Sequence, residues 1–430
     1  MVVGAALARV SAQGIPVRLT LDQVIARGVQ NSLRLAELQA RVDAAAAAES
    51  GRRVSERPHV ALQGGYTRTN HVEEFAVFAP GQPVSVIYPD VPDNYRSRLD
   101  LQWPIYTGGR GDALERAARA EREAAGEDLA AARADLRLEL TRAFWALVTA
   151  RETEQVLARA VETMDAHVRE LQARQEQGLI PPNDVLSAEA QRSRQRLLAI
   201  EARNTRLVSE ADLQRLLGLE DAGPIEPVEP AAPAAPPVEE IRALVEEARA
   251  RRPERRALTD RTDAARFREQ AIGAGARPQL NVVAGFDVAR PNPRIFPRAG
   301  EWNDSWDVSM NLTWSLWDGG RRRAEQAEAA AGVRALEART GDFDRQVGFE
   351  VRQRRLEAES SRAAIAAADD GVRAAVEAQR VVAERFKAGV VTNADVLDAE
   401  TDALVARLER TRAMANARLA IARLERALGR

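Results

Sequence analysis

Cysteine is absent from the 430-residue chain, which excludes disulfides, thiolate metal sites, cysteine nucleophiles and a lipid-acceptor cysteine near the N-terminus. Histidine is scarce. His59, His71 and His167 stand far apart without metal-ligand spacing, so no metal or catalytic site is expected of them and all three read as surface residues. An excess of either charge is missing too: 62 Lys and Arg against 64 Asp and Glu leave a formal net charge of −2. That gives no basic surplus to hold a phosphate backbone and argues against nucleic acid as a partner. The apolar runs all fall short of the roughly 18 to 20 residues that a membrane-spanning helix needs. If this chain crosses a membrane, it must do so with strands.

The first residues, 1–18, read as a tail. Val2 to Ala12 is either the end of a secretory signal, with small residues before a cut after Ala12, or an ordinary terminus, since no basic segment precedes it.

What the chain does contain is a second copy of itself. At an offset of 220, Arg57-Pro58-His59-Val60 falls on Arg277-Pro278-Gln279-Leu280, and Gly65-Tyr66 on Gly285-Phe286. At an offset of 211, Leu101, Trp103 and Gly108-Gly109-Arg110 fall on Leu312, Trp314 and Gly319-Gly320-Arg321. The second offset also carries Gly178 onto Gly389, Asp184-Val185-Leu186 onto Asp395-Val396-Leu397, and Gly218 onto Gly429. The fall from 220 to 211 gives the first copy nine extra residues between Tyr66 and Tyr95, a length change expected in a loop. The copies span residues 19–220 and 238–430. Between them, 221–237 carries prolines at 224, 227, 230, 233, 236 and 237 and is expected to be an extended, proline-stiffened linker.

Each copy holds two stretches of period-two alternation, at about 58–69 and 96–106, then 279–289 and 306–317. Leu99, Leu101, Trp103 and Ile105 alternate with polar residues in the first copy, and Val308, Met310, Leu312, Trp314 and Leu316 in the second. A soluble sandwich would need a second sheet against the apolar face, and the rest of the chain is helical. Short strands with one apolar and one polar face, and aromatics near their ends, fit a lipid-facing barrel wall. Four strands are too few to close a barrel of about eight, and lipid forbids open sheet edges. The chain must then oligomerise: three copies would supply twelve strands, whereas two would make a narrow barrel filled by its own side chains.

Residues 110–177 and 321–388 contain no proline. In the first, Leu157, Val161, Met164, Val168 and Leu171 follow 4-3-4-3 spacing, and each segment predicts a helix about 100 Å long. Taken alone, such a helix suits a fibrous coiled coil equally well. Two shorter helical segments per copy, 19–56 with 183–217 and 238–276 with 393–428, together match the long helix in length. They predict helical hairpins that turn at residues 178–182 and 389–392. Abundant alanine permits close helix approach, besides favouring the helix itself.

With these features in view, the chain resembles the TolC-type outer-membrane efflux proteins over nearly its whole length after about residue 15. The family's strand-to-helix junction, an aromatic followed by Gly-Gly, stands at Tyr106-Thr107-Gly108-Gly109-Arg110 and Trp317-Asp318-Gly319-Gly320-Arg321. Its hairpin tips, a glycine six residues before Asp-Val-Leu, stand at Gly178 and Gly389.

The resemblance implies a mainly helical, internally duplicated fold with two β-hairpins and long helical hairpins per protomer. Three protomers would form a twelve-stranded barrel joined to a periplasmic helical barrel. It further implies a homotrimer in the outer-membrane lipid extending into the periplasm, a passive exit channel for efflux or type I secretion. The partners would be a periplasmic adaptor and an inner-membrane pump or ABC transporter. No enzyme activity, cofactor or metal is implied. A periplasmic coiled-coil adaptor without a pore would need a small glycine-rich β domain flanking its helical hairpins, and none is visible in the sequence; a soluble coiled-coil scaffold would leave the alternating strands unexplained.

By the same resemblance, Leu99, Leu101, Trp103, Met310, Leu312 and Trp314 face lipid. Arg174, Gly178, Leu179, Arg385, Gly389 and Val390 form the adaptor-docking tip. Asp395 and Asp398, with Asp184 in the first copy, ring the periplasmic entrance; Ser187 replaces the second carboxylate there. Alternatively Asp395 caps its own helix. Family members can hold the tip shut through a Tyr and an Arg, whose positions here are Phe386 and Val391, neither able to make those polar links.

Overall fold

The computed structural model describes residues 17–81, 83–219, 223–228 and 240–430. The signal-like segment 2–12 and most of the proline-rich segment lie outside them. The first copy runs β1 (Val17–Thr20), α1 (Leu21–Asn31), α2 (Leu33–Val54), β2 (His59–Arg68), β3 (Phe75–Val77), β4 (Ser85–Tyr88), β5 (Asp93–Tyr106), α3 (Arg110–Glu176) and α4 (Pro182–Leu217). The second runs β6 (Ile225–Val228), α5 (Ile241–Arg251), α6 (Pro253–Ala274), β7 (Gln279–Arg290), β8 (Asn303–Thr313), α7 (Arg321–Lys387) and α8 (Asn393–Leu428). Corresponding helices have equal lengths: 11 residues in α1 and α5, 22 in α2 and α6, 67 in α3 and α7, and 36 in α4 and α8.

The chain divides into two compact units. A hairpin unit comprises the described residues up to 39 together with 127–255 and 341–430, and a sheet unit comprises 40–126 and 256–340. In the sheet unit, β2, β5, β7 and β8 form one antiparallel sheet in that order, so β2 and β8 are its edges. The chain leaves β5 for α3 through Gly108 and Gly109, both with positive φ, and enters α7 through Gly319 and Gly320 in the same way. A side chain at Gly108 would also lie 2.9 Å from the Ala274 carbonyl, so both the backbone angle and the space demand glycine.

The hairpin unit is held by apolar burial. Leu140, Phe144, Leu147 and Val148 on α3 are buried almost completely. A second cluster joins Leu244, Val245 and Ala248 of α5 to Val347 and Val351 of α7 and to Leu424, Ala427 and Leu428 of α8. Each such Leu, Val or Phe contributes about 1.5–3 kcal/mol.

Several local features differ from the sequence reading. Residues 19–56 do not form one helix: Ser32 breaks it, its hydroxyl accepting the Leu35 N–H at 3.3 Å as a helix start requires. Segment 238–276 breaks at the matching place because Pro253 pushes Arg252 into an extended conformation. The tail and the linker each yield a short strand. Val17–Thr20 pairs in parallel with Ile225–Val228, and Arg18 reaches Glu226 at 2.8 Å. Ile225 is buried, its N–H donating to Glu210 Oε1 at 2.7 Å. The loop with extra residues carries a hairpin of its own, β3–β4. Finally, β8 ends at Thr313 rather than 317, and the Trp314 indole N–H donates to the Ala276 carbonyl at 3.0 Å.

Candidate functional site

The sheet presents two chemically different faces because side chains alternate along each strand. Register aligns Leu62, Leu99, Phe286 and Trp306 across all four strands, and Trp103, Val282 and Met310 across three. Leu280 lies opposite Leu312. Met310 and Leu312 are 66% and 67% exposed; Leu99, Trp103 and Trp314 are also exposed, and Leu101 is half-buried. Among the described residues of the sheet unit no element covers this apolar face, the arrangement that marks an interaction surface.

The opposite face is charged. Arg98 donates to Asp100 at 2.6 Å, to Asp307 at 3.2 Å and to Asp287, which also accepts from Arg96 at 2.6 Å. Gly285 stands opposite both Asp100 and Asp307, and the side chain it lacks would occupy the space of the Arg98 guanidinium. This cross-strand cluster was not visible in the sequence. Alternation places Arg98 and Asp100 on the polar face, but only the register brings Asp287 and Asp307 to them.

At the tips of the helical hairpins, the two copies end their long helices identically. Gly178 takes φ +71°, its N–H donating to the Gln175 carbonyl at 2.8 Å while the Leu179 N–H donates to the Arg174 carbonyl at 3.0 Å. Gly389 takes φ +73°, with Gly389 N–H to Phe386 O at 3.0 Å and Val390 N–H to Arg385 O at 2.9 Å. These bonds satisfy the last helical carbonyls in the Schellman manner, which requires the left-handed conformation that glycine adopts freely. Leu179 and Val390 stand exposed at the two apices, and Arg385 is exposed beside the second.

The helices that follow begin differently. Thr392 caps α8: its hydroxyl accepts the Asp395 N–H at 3.4 Å, and Asp395 Oδ2 accepts the Thr392 N–H at 2.8 Å. The Thr392 hydroxyl and N–H hold the Asp395 carboxyl below its ordinary pKa. Asp395 therefore caps its helix, yet it remains exposed, as does Asp398 one turn on. In α4 the cap is Pro181, with no side-chain bond, and Asp184 at the corresponding position accepts from the neighbouring Asn183 amide at 3.2 Å.

Arg174 crosses to the second hairpin, its guanidinium 4.9 Å from the Phe386 ring centroid. Phe386 is buried with Val168, Leu171, Val185, Ala188 and Val396, so an apolar plug fills its position. His167, read as a surface residue, is buried instead; its Nε2 lies 2.9 Å from Asn393 Oδ1. The 4-3-4-3 spacing around it, Met164, Val168 and Leu171, could have placed it facing the core. His59 is exposed, and exposed His71 pairs with Asp90 at 2.6 Å. Among the described residues no cluster could hold a metal ion, and no helix is long and apolar enough to cross a membrane.

Solved outer-membrane channels share this fold. The outer membrane channel VceC from Vibrio cholerae superimposes with a TM-score of 0.79 at 20% identity, over 95% of this chain and 96% of that one. The Campylobacter jejuni CmeC outer membrane channel gives 0.79 at 17% identity, over 95% and 85%. Protein CyaE of Bordetella pertussis is 28% identical over 314 residues, 72% of this chain and 65% of that protein, so this chain spans less than two thirds of that relative's length. Residues 24–219 and 244–430 match the outer membrane efflux protein family. The chain belongs to that family and is an outer-membrane protein that extends into the periplasm.

Proposed function

We propose that three copies of this chain form a passive outer-membrane export channel. The observation that carries this reading is the four-stranded sheet: β2 and β8 each pair on one side only, and its apolar face is bare. Unpaired edges are untenable in hydrocarbon, so β2 of one copy pairs with β8 of the next, and three copies close a twelve-stranded barrel. The row of Leu99, Leu101, Trp103, Met310, Leu312 and Trp314 then meets lipid. The charged face with Arg98 and Asp287 lines a wet lumen. The exposed residues Leu197, Ile200 and Val208 on α4 likewise favour burial against another copy.

The hairpins extend into the periplasm, where Asp184, Asp395 and Asp398 border the entrance. Arg174, Gly178, Leu179, Arg385, Gly389 and Val390 meet a periplasmic adaptor, and an inner-membrane pump or ABC transporter supplies the work of efflux or secretion. The chain contributes no chemistry and binds no cofactor.

The reading is tested by fractionating cells and running the purified protein on SDS gels with and without boiling. An outer-membrane trimer that dissociates only on boiling, and that conducts ions in planar bilayers, is the expected result. A soluble monomer would overturn it.

A further inference from the structure

The most unusual polar group in the hairpin unit is a histidine sunk into the apolar tip. His167 lies 9% exposed and Asn393 4% exposed, beside the cluster of Val168, Leu171, Val185, Phe386 and Val396. The His167 ring also meets the Phe386 ring edge-on, with centroids 5.9 Å apart. Burying two polar side chains there is unfavourable unless both are hydrogen-bonded, and they are. Asn393 Nδ2 donates to the Asp184 backbone carbonyl at 3.0 Å, so Asn393 Oδ1 is turned to His167 Nε2 at 2.9 Å, and that nitrogen must carry the proton and donate. The chain of bonds runs from α3 of the first hairpin, through the first residue of α8 in the second, back to the first turn of α4.

Duplication makes this link one-sided. At the offset of 211, the counterpart of Asn393 is Pro182 and the counterpart of His167 is Ala378, and neither can donate a side-chain hydrogen bond. The second copy therefore has no equivalent bridge.

We propose that His167 and Asn393 are positioning residues for the channel entrance. They form a clasp that ties the two hairpin tips of one chain together and sets the first turns of α4 and α8, with Asp184 and Asp395, against each other. This rests on the tip being the entrance of an export channel. Opening the entrance by parting the hairpins requires breaking the clasp; opening it with both hairpins moving as one leaves the clasp intact.

The test uses the full-length purified protein and two substitutions of opposite chemistry. His167→Phe keeps the bulk and loses the donor, while His167→Gln keeps an N–H donor. Hydrogen exchange of the amides in 183–189 and 393–400 is expected to quicken about five- to tenfold in His167→Phe, the effect of one lost hydrogen bond. It should stay within about twofold of the parent protein in His167→Gln. Asn393→Asp, which removes the donor to Asp184, should behave like His167→Phe. In planar bilayers, His167→Phe is expected to open more often, and His167→Gln to match the parent. Unchanged exchange in His167→Phe, or equal loosening in both His167 variants, would overturn the clasp. A parent protein that forms no channels would instead overturn the channel reading, and the exchange data would still decide the clasp.

Discussion

The two hairpin tips share one kind of turn and differ in the start of the helix that follows. Both long helices stop at a left-handed glycine with the same pair of backbone bonds. Then α4 begins with Pro181 and Pro182 and no side-chain cap, while α8 begins with a reciprocal Thr392–Asp395 capping box. The comparison separates what a duplicated backbone demands from what each copy is free to change. Ending a long helix in a turn of five residues, 177–181 or 388–392, leaves carbonyls that a left-handed residue satisfies, so both copies keep glycine. Starting a helix has several solutions, so the copies diverge there, and with them the surroundings of Asp184 and Asp395.

The largest effect should follow from attacking the shared part. Gly178→Val and Gly389→Val each force a β-branched residue to positive φ, at about 2 kcal/mol. Local opening of each tip, read from hydrogen exchange, should rise equally in the two variants. If one substitution were nearly free, the two turns would not be equivalent.

A smaller and unequal effect should come from the divergent part. Thr392→Ala removes the cap of α8 and should cost about 1 kcal/mol of local stability. Pro181→Ala removes no hydrogen bond and should cost about 0.5 kcal/mol through chain entropy alone. Equal losses would mean that the capping box contributes nothing beyond propensity.

Glu400, two turns along α8 from Asn393, sharpens the comparison by pH. Burial raises its pKa, and the nearby His167 opposes the shift. A raised folded-state value means that its contribution to tip stability is fully present below the ordinary glutamate pKa and is lost as pH rises through the raised value. Asp395 works the other way: its depressed pKa contributes stability above the ordinary aspartate value, lost only as pH falls through the lower one. From the ordinary glutamate value upward, therefore, Glu400 changes and Asp395 does not. In a His167→Gln background, which keeps a donor for Asn393 and removes the ring that opposes the Glu400 shift, the α8 amides should exchange faster as pH rises through that window, after correction for intrinsic rates. Glu400→Gln should flatten the trend, and persistence of the slope would assign it to another group.

The sequence made some of this legible and hid the rest for physical reasons. Strand alternation and long proline-free runs repeat many times, so β5, β8, α3 and α7 could be read from period alone. The glycines at 178 and 389 were readable because no other residue meets their backbone need. Four-residue strands such as β1 and β6 carry too few alternations to register, and Ile225–Val228 was masked by prolines that suggest an extended linker. Pro253 was a visible break within 238–276 that a count of helical residues passed over. The Arg98 cluster and the His167–Asn393 bond join residues 189 and 226 positions apart. Only tertiary register creates them. His167 was misjudged because rarity and lack of ligand spacing argue against a metal site but say nothing about burial.

The least perturbing substitution is at Asp398, the carboxylate outside the α8 capping box. In three copies, Asp395 and Asp398 would supply six carboxylates from the second hairpins, whereas the first hairpins supply three from Asp184, because Ser187 stands opposite Asp398 in the alignment of the copies. Exposed charges act over about 8 Å at physiological ionic strength, so carboxylate rings around a narrow entrance would attract cations without binding them. Asp395→Ala with Asp398→Ala should therefore lower cation selectivity, measured as the reversal potential under a salt gradient, more than Asp184→Ala does. Asp398→Ala should leave the α8 cap intact, since Thr392 bonds Asp395 alone, and so it isolates charge from structure. A selectivity change in Asp398→Ala with unaltered exchange at the tip would assign the field to the carboxylate. Unchanged selectivity in the double variant would mean that these side chains do not line the path.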